Sequence, residues 1–499
     1  MSGDMTVGRW ILDRARVTPD RTAIDFAGGV TTYAELAAHS GGLSAELAAR
    51  GLGRGDRVAV LASNRPEYVA VLFACALGGY VMTPLNWRLT SHELAYQLEN
   101  AEVGLLIVES DRVGQAENAL ELTDLSVPTR LLEDPIEEGQ HVAEVEDDDA
   151  LLLIYTSGTT GKPKGAVLTH ANCFWTNTSI DRMMDVTTFD VVLQVLPQFH
   201  IGGWNVQPLL AFWKGATVVL EESFDPERAL RLIEEKRVTT MMGVPATYLF
   251  MAESPDFETT DLSSLRMAVV GGAPMPESLI ETWHDRGVSL VQGYGLTEAS
   301  PNVLGLAPER VGDKVGYAGK AYPHVEVALE SIDGSGLIEG PGTGELLVRG
   351  PNVFAGYWRN PEETANTMRG GWLHTGDLAE RDEEGFYRIR DRVKDMYISG
   401  GENVYPAEVE AVLHAHESIV EAAVVGVPDP RWGESGLAIV VPRTGHELSS
   451  NEVIEWCRER LAKYKVPKRV IFTDELPRSG ANKVVKRDLV DEYGAGVDE

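Results

Sequence analysis

At 499 residues the chain is too long for one compact core, and 43% hydrophobic and 24% charged residues place it among ordinary globular proteins. A formal net charge of −32 disfavours nucleic acid and anionic lipid as partners, since both are gripped by Lys and Arg. The three cysteines, Cys75, Cys173 and Cys457, lack metal-like spacing and fit a structural role in a reducing compartment. The opening Met-Ser-Gly-Asp-Met-Thr carries no basic-then-apolar leader, so a cytoplasmic protein is expected.

In chain order, Leu36, Leu43 and Leu47 fall on one helical face, 51–55 ends that helix, and 56–61 reads as a short buried strand. The uncharged stretch 68–87 is interrupted by Gly78, Gly79, Pro84 and Asn86. It reads as a buried helix running into a strand, and no integral membrane segment is expected. The acidic run 144–149 reads as a solvated lead-in to the next strand. Further short apolar strands at 216–220, 239–244, 267–270 and 289–292 alternate with helix-length segments, the mark of α/β architecture with largely parallel sheets. From 344 to 390 the pattern changes to short alternating strands with Gly and Pro turns, a β-rich subdomain. Beyond Asp391 lies a small α+β unit. It has a helix opened by Pro406 and carrying Val409 and Val412, a strand at 421–427, and a helix at 451–462 whose inner face holds Val453, Ile454, Cys457 and Leu461.

The segment Tyr155-Thr-Ser-Gly-Thr-Thr-Gly-Lys-Pro-Lys-Gly165 carries four Ser and Thr hydroxyls, three glycines and two lysines directly after an apolar run. Such a loop can wrap an anion in backbone N–H groups, hydroxyls and ammonium groups, and a nucleotide polyphosphate is the expected anion. It is not a Walker A loop, because Thr156 stands where the first glycine belongs and Pro163 replaces the metal-binding Ser or Thr. In a chain this acidic, Lys162 and Lys164 would supply the local positive pocket.

Further segments follow in order: Gly293-Tyr-Gly-Leu-Thr-Glu298, Gly371-Trp-Leu-His-Thr-Gly-Asp377, Tyr387-Arg-Ile-Arg-Asp-Arg-Val-Lys394, Ser399-Gly-Gly-Glu-Asn-Val-Tyr-Pro-Ala-Glu-Val-Glu410, and Lys483. Together with the 155–165 loop they resemble the acyl-adenylate-forming superfamily of AMP-binding enzymes over almost the whole chain. In look they are closest to bacterial fatty-acyl-CoA and feruloyl-type CoA ligases. The resemblance implies a large N-terminal domain, 1–392, of mainly parallel sheets with helices plus the β-rich piece. A small mobile α+β domain, 393–499, would turn about a hinge at Lys394.

It also implies ATP, Mg²⁺ and CoA as cofactors, and roles for individual residues. Thr156, Ser157, Gly158, Thr159, Thr160 and Lys164 would cradle phosphates, with Gly272, Ala273, Gly293 and Gly295 alongside the nucleotide. Tyr294 would meet the adenine, Thr297 a phosphate, and Glu298 the Mg²⁺, for which a single protein carboxylate is chemically sufficient. Asp377 and Arg392 would hold the ribose. Lys483 would visit the α-phosphate and the substrate carboxylate, making it catalytic with Glu298 and Thr156. It is preceded by Asn482 where the family usually has Gly, a replacement that tolerates left-handed backbone. Ser399, Gly400 and Gly401 would form part of the pantetheine tunnel.

The acyl pocket is expected near His200, Gly203, Trp204, Val270 and Gly271, in segments with almost no formal charge. His200 replaces the Asp of amino-acid-activating relatives, so a free amino acid is disfavoured. The lack of Arg and Lys there points to monocarboxylic acids. The expected activity is ATP-dependent acid–CoA ligation through acyl-AMP, on a medium- or long-chain fatty acid or, alternatively, a cinnamic- or ferulic-type acid. CoA is preferred to a carrier protein because the chain ends soon after Lys483, with an acyl-AMP ligase as the alternative. A phosphotransferase is disfavoured by Pro163, and a silent nucleotide-binding scaffold by the full set of motif carboxylates and lysines. A homodimer is compatible with these features and is not required by them.

Overall fold

The computed structural model describes residues 3–156, 162–272, 275, 277–331, 335–392, 397–404, 406–443, 445, 448–477, 484 and 486–494. Two large sheets build the N-terminal part. One runs from Lys320–Ala321 through Asn302–Gly305, Leu290–Gly295, Met267–Val270, Thr240–Gly243, Val191–Gln194, Thr217–Leu220 and Thr22–Phe26 to Gly29–Thr32. The other runs from Gly356–Tyr357 through Lys164–Thr169, Ala150–Thr156, Val81–Pro84, Arg57–Leu61 and Val103–Val108 to Thr129–Leu131. Their central strands pair in parallel, and antiparallel pairs occur only towards the edges. Parallel strands covered on both faces read as continuous apolar runs, which is why 57–61 is Arg-Val-Ala-Val-Leu and not an alternating pattern.

One apolar cluster unites Val58, Val60 and Leu152 of the second sheet with Val192, Val218 and Val291 of the first. Helix Pro66–Gly78 is buried from Tyr68 to its end in this cluster, as expected for a helix apolar on every face. Pro66 opens it and Gly79, at φ 73°, closes it in the left-handed conformation, after which Val81–Pro84 enters the sheet. The helix-into-strand reading of 68–87 therefore holds. Among the described residues no helix is long and apolar enough to cross a membrane.

The β-rich piece is an antiparallel sheet of Glu326–Glu330, Gly342–Arg349, Trp372–Arg381 and Met368–Arg369, with Tyr387–Arg392 paired to Trp372–Arg381. The small domain has its own sheet, in which Gly433–Pro442 is flanked by Ile419–Asp429 and Arg469–Phe472. Apolar residues on both faces of that sheet close two small cores, one around Val409, Leu413, Val453 and Cys457, the other around Leu437, Ile439 and Leu489. The expected domain boundary and the Lys394 hinge fall on residues 393–396, outside the described residues.

Strand and helix limits differ from the sequence reading by one to three residues in most cases. The strand expected at 289–292 is longer, Leu290–Gly295, because the glycine motif after it stays paired with Asn302–Gly305. The acidic run 144–149 is less free than expected. Asp149 pairs with Arg54 at 2.6 Å, and Asp147 accepts the backbone N–H of Met5 at 2.8 Å.

Candidate active site

The strands that flank the hydroxyl- and glycine-rich segment in sequence, Ala150–Thr156 and Lys164–Thr169, pair antiparallel, with Thr156 directly opposite Lys164. Ser157, Gly158, Thr159 and Thr160 lie outside the described residues. The Lys164 side chain is buried, ion-paired with Glu363, and its ammonium lies 5.3 Å from the centre of the Tyr357 ring. Strand Leu290–Gly295 delivers the second motif to the same place. A Cβ on Gly295 would stand 1.6 Å from the Pro301 carbonyl oxygen, so only glycine fits where the chain folds back on itself. The short turn Thr297–Ala299 that follows carries Glu298.

Glu298 is the meeting point. Its Oε1 accepts a hydrogen bond from the Tyr357 hydroxyl at 2.8 Å, and Thr156 Oγ1 lies 3.4 Å from the same oxygen. Burial first, then the Glu298 charge, pushes the Tyr357 phenol far above its ordinary pKa, so it stays protonated and donates. A carboxylate anchored through one oxygen, with the other not used in that bond, is donor chemistry that suits a magnesium ion.

On the opposite edge, the Tyr294 hydroxyl donates to Asp377 Oδ2 at 2.5 Å. Asp377 is buried within the register Asp377↔Arg392 of the β-rich sheet, although the Arg392 side chain lies outside the described residues. The irregular stretch of strand before Asp377 is tied to the neighbouring strand. Thr375 Oγ1 donates to the Leu346 carbonyl at 2.7 Å, and Gly376 N–H to Glu345 Oε1 at 3.0 Å. Gly272 has φ 82°, and a Cβ on Gly271 would meet Met242 and the Gly293 carbonyl at 3.2 and 3.4 Å, so glycine keeps this crossover thin. Ala273 lies outside the described residues.

The residues expected around the acyl group divide in two. Trp204 is fully buried, edge-on to Tyr68, with its indole N–H donating to the Gln198 carbonyl at 2.6 Å. Its role here is packing. Val270 is equally buried, and a Cβ on Gly203 would collide with the Pro197 carbonyl at 2.4 Å. His200, by contrast, is 44% exposed in its side chain and is not a core histidine. Its Nε2 lies 2.9 Å from Glu402 Oε2, whose other oxygen is 2.5 Å from Arg88 Nη1. Burial alone would raise the Glu402 pKa, but His200 and Arg88 outweigh it and hold the carboxyl below its ordinary range. The loop Ser399-Gly400-Gly401 is thereby brought against the large domain. Gly400, at φ 60°, leaves only 2.8 Å between a would-be Cβ and the Trp432 ring, and a Cβ on Gly401 would stand 3.3 Å from Val244.

Behind 200–205 the interior is polar. Asn177 Nδ2 donates to Asn205 Oδ1 at 3.1 Å, and Asn302 Nδ2 reaches Thr176 Oγ1 and the Asn205 carbonyl, each at 3.0 Å. All four side chains are buried, and Asn302 sits opposite Gly295 in the sheet. Sequence reading missed this cluster, and also Tyr357, Glu363 and Arg88. None has a local pattern, since their roles come from contacts across the fold. Lys483 lies outside the described residues, as does Lys394.

Residues 11–358 match the AMP-binding enzyme family and residues 408–483 its C-terminal domain. The chain is 43% identical over 488 residues to a feruloyl-CoA synthase of an Amycolatopsis species, covering 98% of this chain and 99% of that one. It is 40% identical over 498 residues to an indoleacetate–CoA ligase of Aromatoleum aromaticum, covering 97% and 98%. Among solved structures, a double mutant of o-succinylbenzoate CoA synthetase from Bacillus subtilis, bound with its product analogue, is 34% identical over 97% of this chain and 98% of that one, with TM-score 0.88. The same enzyme in complex with its acyl-adenylate intermediate, at 35% identity over 98% and 99%, gives only 0.72. The protein belongs to the AMP-binding enzyme family and is an acid–CoA ligase.

Proposed function

We propose that this ligase activates an aromatic monocarboxylic acid of hydroxycinnamic size, using ATP to form acyl-AMP and pyrophosphate and then CoA to form acyl-CoA and AMP. The observation that carries the reading is the buried Asn177–Asn205–Thr176–Asn302 cluster beside Gly295. A plain alkyl chain would leave such amides facing hydrocarbon, whereas a ring bearing hydroxyl or methoxyl groups can hydrogen-bond to them. Two relatives named for aromatic acids point the same way. A fatty acid is the second reading, favoured by the near absence of formal charge in the segments expected around the acyl group.

In this reading Thr156, Lys164 and the 157–160 loop bind the phosphates, Tyr294 and Asp377 the adenosine, and Glu298 the metal ion. Mg²⁺ would be held by Glu298 and would neutralise charge on the phosphate oxygens. Lys483 approaches the α-phosphate as the carboxylate attacks and pyrophosphate leaves. The CoA thiol then attacks the acyl carbonyl and AMP departs, with Ser399–Gly401 lining the thiol's path and Lys394 serving as the hinge between domains 1–392 and 393–499. The Glu402–His200 and Glu402–Arg88 contacts support assigning the present arrangement to the second step, as does the better fit to the relative bound with a product analogue. ATP- and CoA-dependent thioester formation across a panel of ferulate, cinnamate, octanoate, acetate, malonate and glycine tests this. We expect kcat/KM for ferulate to exceed that for octanoate and acetate at least tenfold; a preference for octanoate supports the second reading, and one for acetate, malonate or glycine overturns both.

A further inference from the structure

Lys465 lies just beyond helix Ser450–Arg460, where the small domain meets the large one. Its ammonium is 2.7 Å from Glu408 Oε1 of its own domain and 2.9 Å from Glu93 Oε1 of the large domain. The side chains of Lys465, Glu408 and Glu93 are 4%, 6% and 9% exposed, so this is an interior ion triad and not a surface pair. One cation serves two carboxylates. Burial holds the Glu408 carboxyl above its ordinary range, with Lys465 opposing and Glu93 adding to the effect. Glu408 Oε2 has no hydrogen-bond partner among the described residues, so Lys465 is this carboxylate's principal support.

Glu93 is fixed in place. It is the third residue of helix Ser91–Ala101, and its Oε2 accepts the Thr90 backbone N–H at 2.8 Å in a capping box. Thr90 Oγ1 also lies 3.0 Å from the Arg460 carbonyl of the small domain. Next to it, Ala462 joins the large domain's apolar cluster of Leu94, Leu98 and Leu153. Glu408 and Lys465 travel together, while Glu93 stays with the large domain. Any rotation of the small domain relative to the large one therefore breaks the Glu93–Lys465 contact while the Glu408–Lys465 contact is kept.

We propose that Lys465, clasped between Glu93 and Glu408, is a positioning latch for thioester formation. It holds the Ser399–Glu402 loop against His200 while CoA reacts, and it opens when the domain swings back for adenylation. None of the three touches the reacting atoms. The inference rests on the two-step reading given above.

The test uses the full-length enzyme and the variants Glu93→Gln, Lys465→Met and Lys465→Arg. Gln keeps the oxygen that caps the helix and loses only the charge. Adenylation is read by ferulate-dependent pyrophosphate exchange, and transfer by single-turnover reaction of preformed feruloyl-AMP with saturating CoA. We expect Glu93→Gln and Lys465→Met each to slow transfer at least tenfold with exchange within twofold of the unaltered enzyme. The double variant should be no worse than the single ones, and Lys465→Arg should recover most of the rate. If Lys465→Met fails to fold, Glu93→Gln decides alone. Equal losses in both half-reactions, or transfer within twofold for Glu93→Gln, overturn the latch and leave the ligase reading intact. Absence of acid-dependent exchange in the unaltered enzyme, with any acid of the panel, overturns that reading and the latch with it.

Discussion

The hydroxyl of Tyr357 reaches the Glu298 carboxylate at 2.8 Å, and Thr156 approaches the same oxygen at 3.4 Å, so three segments converge on one acidic group. Strand Gly356–Tyr357 pairs with Lys164–Thr169, which in turn pairs with Ala150–Thr156, and this fixes the phenol relative to Thr156 and Lys164. A group that positions charge in such a site is worth about 3–4 kcal/mol of barrier, and a hydrogen bond to a charged group about 1.5–3 kcal/mol. Glu298→Gln should therefore slow acid-dependent pyrophosphate exchange by two to three orders of magnitude, with Tyr357→Phe costing about ten- to a hundredfold. Near-normal exchange by Glu298→Gln would remove this residue from the metal and phosphate role.

Gly295 offers a steric test of the same neighbourhood. An alanine Cβ would stand 1.6 Å from the Pro301 carbonyl, with backbone and not a flexible side-chain tip in the way. Overpacking of this kind costs about 1–3 kcal/mol and displaces whatever follows. Gly295→Ala is expected to lower the melting temperature by several degrees and pyrophosphate exchange far more than that loss explains. Unchanged exchange would mean that the Thr297–Ala299 turn does not depend on this close approach.

Much of this was legible in the sequence. Buried parallel strands and the 66–78 helix announce themselves as apolar runs, and the structure brings Glu298 next to Thr156 and Asp377 next to Tyr294, four residues the motifs single out. The Glu298–Tyr357, Lys164–Glu363 and Glu402–Arg88 pairs were not legible, because they join residues 59, 199 and 314 positions apart. Trp204 is the case where sequence left two readings open. An aromatic beside two glycines reads equally as a pocket wall or as packing, and its contact with Tyr68 and its bond to the Gln198 carbonyl fit packing.

His170 ties the N-terminal helix to the large domain and gives the fold an acid-sensitive point. Its Nδ1 accepts the Val7 backbone N–H at 3.1 Å, and burial lowers its pKa from 6.5 to about 4, with the Asp149 charge opposing. The unfolded chain binds a proton below pH 6.5 that the folded chain refuses until about pH 4, so stability is complete above 6.5 and is lost as pH falls through that window. The full loss is on the order of 3 kcal/mol. Urea unfolding at pH 7 and pH 4.5 should show a smaller acid-induced decrease for His170→Gln than for the unaltered protein. Identical decreases would show that His170 is not buried neutral.

Lys483 and the Ser399–Glu402 loop both belong to the small domain, yet the proposed two-step reaction uses them at different moments. The loop stands at the large domain through Glu402, His200 and Arg88, and in that reading Lys483 acts in a different arrangement. A hinge absorbs such a change through the backbone torsions of a few residues, and in the reading proposed above Lys394 is that hinge. Proline fixes φ near −65° and restricts the residue before it, so Lys394→Pro favours whichever arrangement it can satisfy. The expected outcome is a large loss in acyl transfer from preformed acyl-AMP to CoA with a smaller loss in pyrophosphate exchange. Lys483→Ala should do the reverse, because removing the ammonium spares the thiol's attack. The two rates are separable by pyrophosphate exchange and by single-turnover transfer. Equal losses in both half-reactions for both variants would show that one fixed arrangement serves the whole cycle.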